Sequence, residues 1–312
     1  MIYVLFLLLV VISLCILREK RNIGLIIYLT VFSLLASASF FFLGSPDVAM
    51  AEAAVGAFTT IFFIVCFEKF DDLKIDHLVK AETEKPKQTG KWKRYLAPLG
   101  FTVLLGGLFF YFLPNGEANV YLKEQYLSLF MYEVGGENAV TAIYLGYRVY
   151  DTLFEALVLI ISVIAVSHMS YSGEESVADG RHSEVEQSVV VVSVMRIVCV
   201  VVLLFGVYLI FNGHLTAGGG FQGGLFIAAF FICRYLIYNI YDLPIKRVFR
   251  LEEFIFFFTV LIVIFVIFLG ASAYFPPFLQ EIYMVVMNLM IGMKVACGFV
   301  ILFYRYIAIE RR

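Results

Sequence analysis

Residues 189–211 read Val189-Val190-Val191-Val192-Ser193-Val194-Met195-Arg196-Ile197-Val198-Cys199-Val200-Val201-Val202-Leu203-Leu204-Phe205-Gly206-Val207-Tyr208-Leu209-Ile210-Phe211. A single charge, Arg196, interrupts the apolar run. At about 1.5 Å per residue a helix of this length extends roughly 35 Å, enough to cross a hydrocarbon core of about 30 Å. A helix on the surface of a soluble protein needs a polar face, and this run has none. It reads as a transmembrane helix. The same test applied outward finds eight more: Ile2 to Leu17, Ile23 to Leu43, Pro46 to Phe67, Leu96 to Leu113, Tyr147 to Val166, Gln222 to Ile240, Phe254 to Ala271, and Tyr283 to Ile307. The expected fold class is all-α, a polytopic transmembrane helical protein of about nine helices.

Composition agrees. Of 312 residues 62% are hydrophobic and 15% charged, against about half and a quarter in soluble domains, and the mean hydropathy is +0.92. A water-soluble core cannot absorb this much apolar side chain, so the lipid bilayer is the expected solvent and the cell membrane the expected location. The formal net charge of -2 argues against a nucleic-acid partner. Cys15, Cys66, Cys199, Cys233 and Cys297 each lie in an apolar run, with no C-x-x-C pair. They read as small apolar fillers rather than metal ligands. No nucleophile elbow, metal cluster or haem-ligand pattern is present, so an enzyme and a resident cofactor are not expected. Met1-Ile2-Tyr3 leads directly into apolar sequence without a basic n-region, which reads as a first helix rather than a cleaved signal.

The basic residues set the topology, because cytoplasmic loops carry excess Lys and Arg. One set of alternate loops holds Arg18, Lys20, Arg21, eight basic residues from Lys69 to Arg94, then Arg181, Lys246, Arg247, Arg250, Arg305, Arg311 and Arg312. The opposite set holds only Lys123. With nine spans this places the N-terminus outside and the C-terminus in the cytoplasm. Two hydrophilic stretches cut the chain into blocks. A three-helix block covers 1–68, a cytoplasmic linker 69–95 with a short interfacial helix near Phe70 to Leu78, a two-helix block 96–169, a Ser-, Gly- and Glu-rich tether 170–188, and a four-helix block 189–312. No internal repeat is visible, so an inverted-repeat transporter is not supported. Loose tethers between blocks suggest subunits that were once separate.

Charges inside the spans are the functional candidates, since ionisable groups in lipid are costly and face protein or water. The third span opens Gly44-Ser45-Pro46-Asp47-Val48-Ala49-Met50-Ala51-Glu52. Ser45 and Pro46 suit an N-cap and first helical position, and Asp47 in the first turn suits the helix dipole. Glu52 lies deeper, among alanines that permit close helix contact. It reads as an ion-path carboxylate or as half of a structural ion pair. In the fifth span Arg148, Asp151 and Glu155 stand at i, i+3 and i+7 on one helical face, a relay or a structural clasp. Arg196 and Lys294 sit within spans, and a buried lysine can lose its proton or neutralise an acid. Asn212-Gly213-His214-Leu215-Thr216-Ala217 leads into Gly218-Gly219-Gly220-Phe221-Gln222-Gly223-Gly224. So many glycines disfavour a regular helix in water. They line a cavity or let helices approach closely. The run lacks the Gly-Lys-Ser/Thr end of a phosphate-binding loop. His214 is a titratable candidate beside it.

Gly213-His214 with Gly218-Gly219-Gly220-Phe221-Gln222-Gly223-Gly224 resembles the signature of the B subunit of Mrp/Mnh sodium/proton antiporters (MnhB), over roughly Val189 to Arg312. Pro46-Asp47-Val48-Ala49 with Glu52-Ala53-Ala54-Val55-Gly56 resembles the D-type subunit of membrane-bound hydrogenases. Asn138-Ala139-Val140-Thr141-Ala142-Ile143 with Arg148, Asp151, Thr152 and Glu155 resembles the adjacent E-type subunit. In stand-alone Mrp antiporters both of these resemble the tail of the large A subunit. The resemblance implies a subunit of a membrane module that exchanges sodium for protons. Other antiporter-module subunits are then partners, as is a hydrogenase-like redox arm where the module is coupled to one. Glu52, Asp151 and Glu155 carry over as path acids. The alternative is a purely structural scaffold subunit. No long antiporter-like domain precedes the first block, so a complete antiporter is not expected.

Overall fold

In lipid every backbone polar group has to be satisfied within the chain, which favours helices from end to end. A computed structural model describes residues 2–78, 100–108, 111, 120–171, 189–238, 244–268 and 276–309, and among these there is no strand. The helices are α1 (Ile2–Arg18), α2 (Asn22–Phe42), α3 (Pro46–Leu78), α4 (Val120–Glu133), α5 (Ala139–Ala142), a π-helical turn (Ile143–Tyr147), α6 (Val149–Tyr171), α7 (Val189–Asn212), α8 (Gly220–Tyr238), α9 (Ile245–Phe268) and α10 (Pro277–Ile309). Among the described residues six segments are long and apolar enough to cross a membrane: Asn22–Phe42, Pro46–Phe67, Val149–His168, Val192–Asn212, Ile245–Phe268 and Pro277–Arg305. Ile2–Arg18 and Gly220–Tyr235 are shorter apolar helices. The span expected at Leu96 to Leu113 is helical over 100–108, and much of the rest lies outside the described residues, as do 79–95 and 172–188.

Several boundaries differ from the sequence expectation, each for a local reason. Helix α3 runs on to Leu78 as one piece with the third span, where a separate interfacial helix was expected. No glycine or proline between Ala57 and Leu78 stops it. Helix α9 starts at Ile245, directly after Pro244, nine residues before the expected Phe254. That shift brings Glu252 into the helix. Helix α10 starts at Pro277, where a proline's missing N–H costs nothing. Part of the glycine run is helix: Gly223 and Gly224 fall in the expected seventh span, and α8 begins two residues earlier, at Gly220. Packing against neighbours replaces the stability that glycine lacks in water.

Two compact units emerge, Met1–Lys69 with Leu129–Arg312, and Phe70–Ser128. In the second, the helical residues Phe101, Val103 and Leu104 are exposed. The first unit holds the core. Helix α10 is its hub: 56% of an 18-residue apolar stretch of its span is buried inside the chain, against 22% or less of the matching stretch in each of the other five. Helices α8, α9 and α6 pack on it, and α3 joins through Phe58, whose ring meets Phe299 edge-on at 4.8 Å. Helix α1 packs on α2 but has no buried residue, so its apolar side chains face outward. In the short turn between them the Glu19 carboxylate accepts the backbone N–H groups of Lys20 and Arg21. Those bonds hold its pKa below the usual carboxylate value.

Candidate functional site

The glycine-rich turn between α7 and α8 is where the three blocks meet. Gly218 and Gly219 have φ of +147° and +149°, a region open to glycine and strained for other residues. Asp47, expected to serve its own helix end, instead accepts the N–H of Gly218 at 3.2 Å and the side-chain amide of Asn138 at 2.8 Å. The same Asn138 amide donates to the carbonyls of Thr216 at 2.9 Å and Gly213 at 3.2 Å. Its Oδ1 caps α5 by accepting from Val140 and Thr141. Thr141 Oγ1 donates to the Gly213 carbonyl at 2.6 Å. The backbone N–H groups of Glu137 and Asn138 both donate to the His214 carbonyl. On the far side Asn288, fully buried in α10, accepts from Tyr144 Oη at 2.8 Å and from Gly220 N at 3.1 Å.

One residue from each resembling motif is therefore tied into a single buried network. Side chains are excluded there by contact: a Cβ on Gly219 would meet Tyr144 Oη, and one on Gly220 would meet the Asn288 carbonyl. His214 is buried, but it serves the joint through its backbone, and its Nδ1 has no partner among the described residues.

Glu52 lies elsewhere. It is half-buried between α2 and α3, and Ser33 Oγ donates to its Oε1 at 2.8 Å. Thr30 and Thr60 bond at 2.8 Å, and Ser37 donates to the Ala49 carbonyl at 2.7 Å, so the two helices are laced by hydroxyls one turn apart. Gly56 lets them close, because a Cβ there would run into Ser33 Oγ. We expect Gly56→Val to push α2 off α3 and to cost about 1–3 kcal/mol, as overpacking does. A fall in the thermal midpoint of the purified chain measures it.

The other charged candidates surround α6. Between α5 and α6 the π-helical turn and Arg148, at φ -122° and ψ 34°, break the helix. Arg148 thus precedes α6 rather than sharing a continuous helical face with Asp151 and Glu155. It still forms an ion pair with Asp151, and both side chains are more than half exposed. The carbonyls released by the break are filled by hydroxyls: Thr152 Oγ1 donates to Tyr144 O at 2.6 Å, and Tyr283 Oη to Leu145 O at 2.8 Å. Breaks of this kind persist in a membrane only where they are buried or line a cavity.

This one adjoins a cavity of about 970 Å³ lined by Tyr144, Asp151, Thr152, Glu155, Gln222 and Lys294, among apolar residues. Lys294 forms its innermost charge. Its Nζ lies 2.5 Å from Glu252 Oε1, with 2% and 1% of the two side chains exposed, and 4.8 Å from the centre of the Phe256 ring. The geometry brings Asp151, Glu155 and Lys294 to one space. It leaves Glu52 and Asp47 in other contacts and Arg196 exposed on α7.

Glu252 was missed as a candidate because a span drawn from Phe254 places it in a loop. Its signal was Pro244, which marks a helix start that carries Glu252 two turns inward. Asn138 stood only as part of a resembling motif, and Tyr144 and Asn288 were missed, because neutral polar residues carry no charge to mark them.

With the geometry in view, comparisons with known proteins are specific. Residues 190–310 match the family described as a domain related to the MnhB subunit of Na+/H+ antiporter, and residues 7–72 match the MbhD family, the D subunit of MBH. A Staphylococcus aureus (strain MRSA252) protein, "Putative antiporter subunit mnhA2", is 29% identical over 160 residues, which is 50% of this chain and 18% of that protein. Its counterpart in strain JH9 is 26% identical over 155 residues. The chain thus spans under a fifth of the length of these curated relatives.

Among solved structures, the Mrp complex from Dietzia sp. DQ12-45-1b shares the fold, with a TM-score of 0.73 at 18% identity over 97% of this chain and 34% of that one. A chain of the membrane-bound sulfane sulfur reductase, an archaeal respiratory membrane complex, matches with a TM-score of 0.57 at 27% identity. That match covers 69% of this chain and 97% of the other. The sequence-level resemblance, the all-helical architecture and these matches agree: the chain is a multi-pass membrane protein that joins an MbhD domain to an MnhB-related domain, a fusion of parts from Mrp/Mbh-type antiporter subunits.

Proposed function

We propose that the chain is a membrane subunit of a multi-subunit Mrp-type sodium/proton antiporter module, within a hydrogenase-like energy-converting respiratory complex. Its part is to carry sodium ions or protons through the cavity beside α6. Other membrane subunits of the module complete the route, and a redox arm drives it. The reading assigns no resident cofactor and makes the chain a transporter subunit rather than an enzyme. It keeps the N-terminus outside and the C-terminus cytoplasmic, with former subunits at 1–68, 96–169 and 189–312.

The observation that carries the reading is the cavity where Asp151 and Glu155 face Lys294, itself paired with Glu252. A carboxylate in such a space can bind a cation or a proton, and a paired lysine can take the proton's place in the charge balance. Glu155 is the residue through which an arriving cation is held. Arg148 neutralises Asp151, which leaves Glu155 the acid with its charge uncommitted to an ion pair among the described residues.

Sodium-dependent proton exchange in inverted vesicles carrying the whole complex is the test. Glu155→Gln is expected to lower exchange at least tenfold while a native gel shows the complex intact. Unchanged exchange would remove Glu155 from the route. A scaffold role would then stand, and the exposed Arg148–Asp151 pair, suited to clasping a neighbouring chain, favours it as the second reading.

A further inference from the structure

A second cavity, of about 530 Å³, opens between α6, α9 and α10. It lies where three membrane spans terminate, at His168, Ile245 and Arg305. That depth is the boundary between hydrocarbon and headgroups. It is lined by Ile164, Phe249, Ser167, His168, Lys246, Arg250 and Arg305, and the surface these present is mostly apolar. Among the described residues no acid lines it. Two donors on residues that line it, Ser167 Oγ and Arg305 Nε, are buried with no hydrogen-bond partner among the described residues. Buried donors are rarely left unsatisfied, and an unsatisfied guanidinium N–H is among the costlier cases.

Basic residues with no acid beside them in the described lining suit an anion rich in acceptors. A guanidinium fork fits phosphate oxygens in pairs, and Lys246 with Arg250 stand at i and i+4 to add charge from one face of α9. Basic pockets between membrane helices on the Lys/Arg-rich side suit lipid headgroups. The mostly apolar lining favours a lipid over a free ion, since it gives the first acyl carbons a surface.

We propose that this cavity binds the phosphate of an anionic phospholipid, with Arg305 and Ser167 donating to its oxygens and Lys246 and Arg250 balancing its charge. Lipid seated there ties the ends of α6, α9 and α10 together. The site is separate from the acid-lined cavity, and it stands whether or not that cavity carries ions.

The test uses the intact complex in nanodiscs of phosphatidylcholine, with or without phosphatidylglycerol. Lipid retained after detergent washing is measured per mole of chain, and the thermal midpoint is followed in parallel. The native chain should retain phosphatidylglycerol and melt higher with it. Arg250→Gln combined with Arg305→Gln should retain about tenfold less and lose the gain in midpoint. In phosphatidylcholine alone the variant should melt with the native chain, which separates lost binding from lost folding. Arg305→Lys, which keeps the charge and loses the fork, should fall between. Equal retention by native and variant chains would overturn the proposal. So would inorganic phosphate binding as tightly as the lipid, which would make the ligand a free anion. Retention by the isolated chain that disappears in the complex would do the same, because a partner's carboxylate would then fill the space.

Discussion

Lys294→Leu is expected to lower the stability of the chain by about 3–5 kcal/mol, the cost of stranding a buried charge when its partner is removed. The Glu252 side chain is 1% exposed and lies 2.5 Å from the ammonium. Leucine fills most of the lysine's volume, so the loss is electrostatic rather than a cavity effect. With total stabilities of about 5–15 kcal/mol, such a loss approaches unfolding. It should shift the thermal midpoint by on the order of 10 °C.

The double substitution Glu252→Gln with Lys294→Met removes both charges and keeps the volume. It is expected to restore most of the midpoint, as replacement of buried pairs by neutral groups usually does. The double variant also divides structure from transport. A stable complex that no longer exchanges ions places the pair on the route, whereas full exchange makes it a structural clasp. If the single and double variants melted alike, the pair would not be buried as described.

Asn138→Ala is the second large effect. The asparagine caps α5, holds the Asp47 carboxylate and closes the loop onto the carbonyls of Gly213 and Thr216. Losing the cap costs about 1 kcal/mol. Depriving a buried carboxylate of a donor adds about 1.5–3 kcal/mol. Asn138→Asp should do more damage than alanine, because it keeps the cap acceptor and sets a second carboxylate against Asp47. Because both residues serve one network, Asn138→Ala and Asp47→Ala should be markedly non-additive. Thermal midpoints of the two single variants and the double give the coupling. Additive losses would mean that the 2.8 Å contact contributes nothing.

Legibility followed the range of the interaction. The hydroxyl lacing of α2 to α3 was half visible: small residues around Glu52 promised close packing, and Gly56 beneath Ser33 delivers it. The glycine run promised either a cavity lining or close approach. It does both: its glycines meet neighbouring helices closely, and Phe221 and Gln222 within it line the cavity. Arg148 was placed on the wrong local structure because nothing in Ile143-Tyr144-Leu145-Gly146-Tyr147 separates a π-turn from α-helix by composition. The difference is set by Thr152 and Tyr283, which take up the displaced carbonyls.

The apolar runs by themselves determined that this chain crosses a membrane, roughly where, and most of the charges that stand inside, Glu252 excepted. Burial of a helix in lipid depends on length and composition, and both are local properties of the chain. The choice of partner for each charge came only with the tertiary structure. Glu252 and Lys294 are 42 residues apart, and Asp47 reaches Asn138 across 91 and Gly218 across 171. Such pairs are selected by the rotation and depth at which helices pack, to within an ångström. Each residue along a helix turns a side chain by about 100°, so the start of α9 at Ile245, nine residues before Phe254, decides which way Glu252 points.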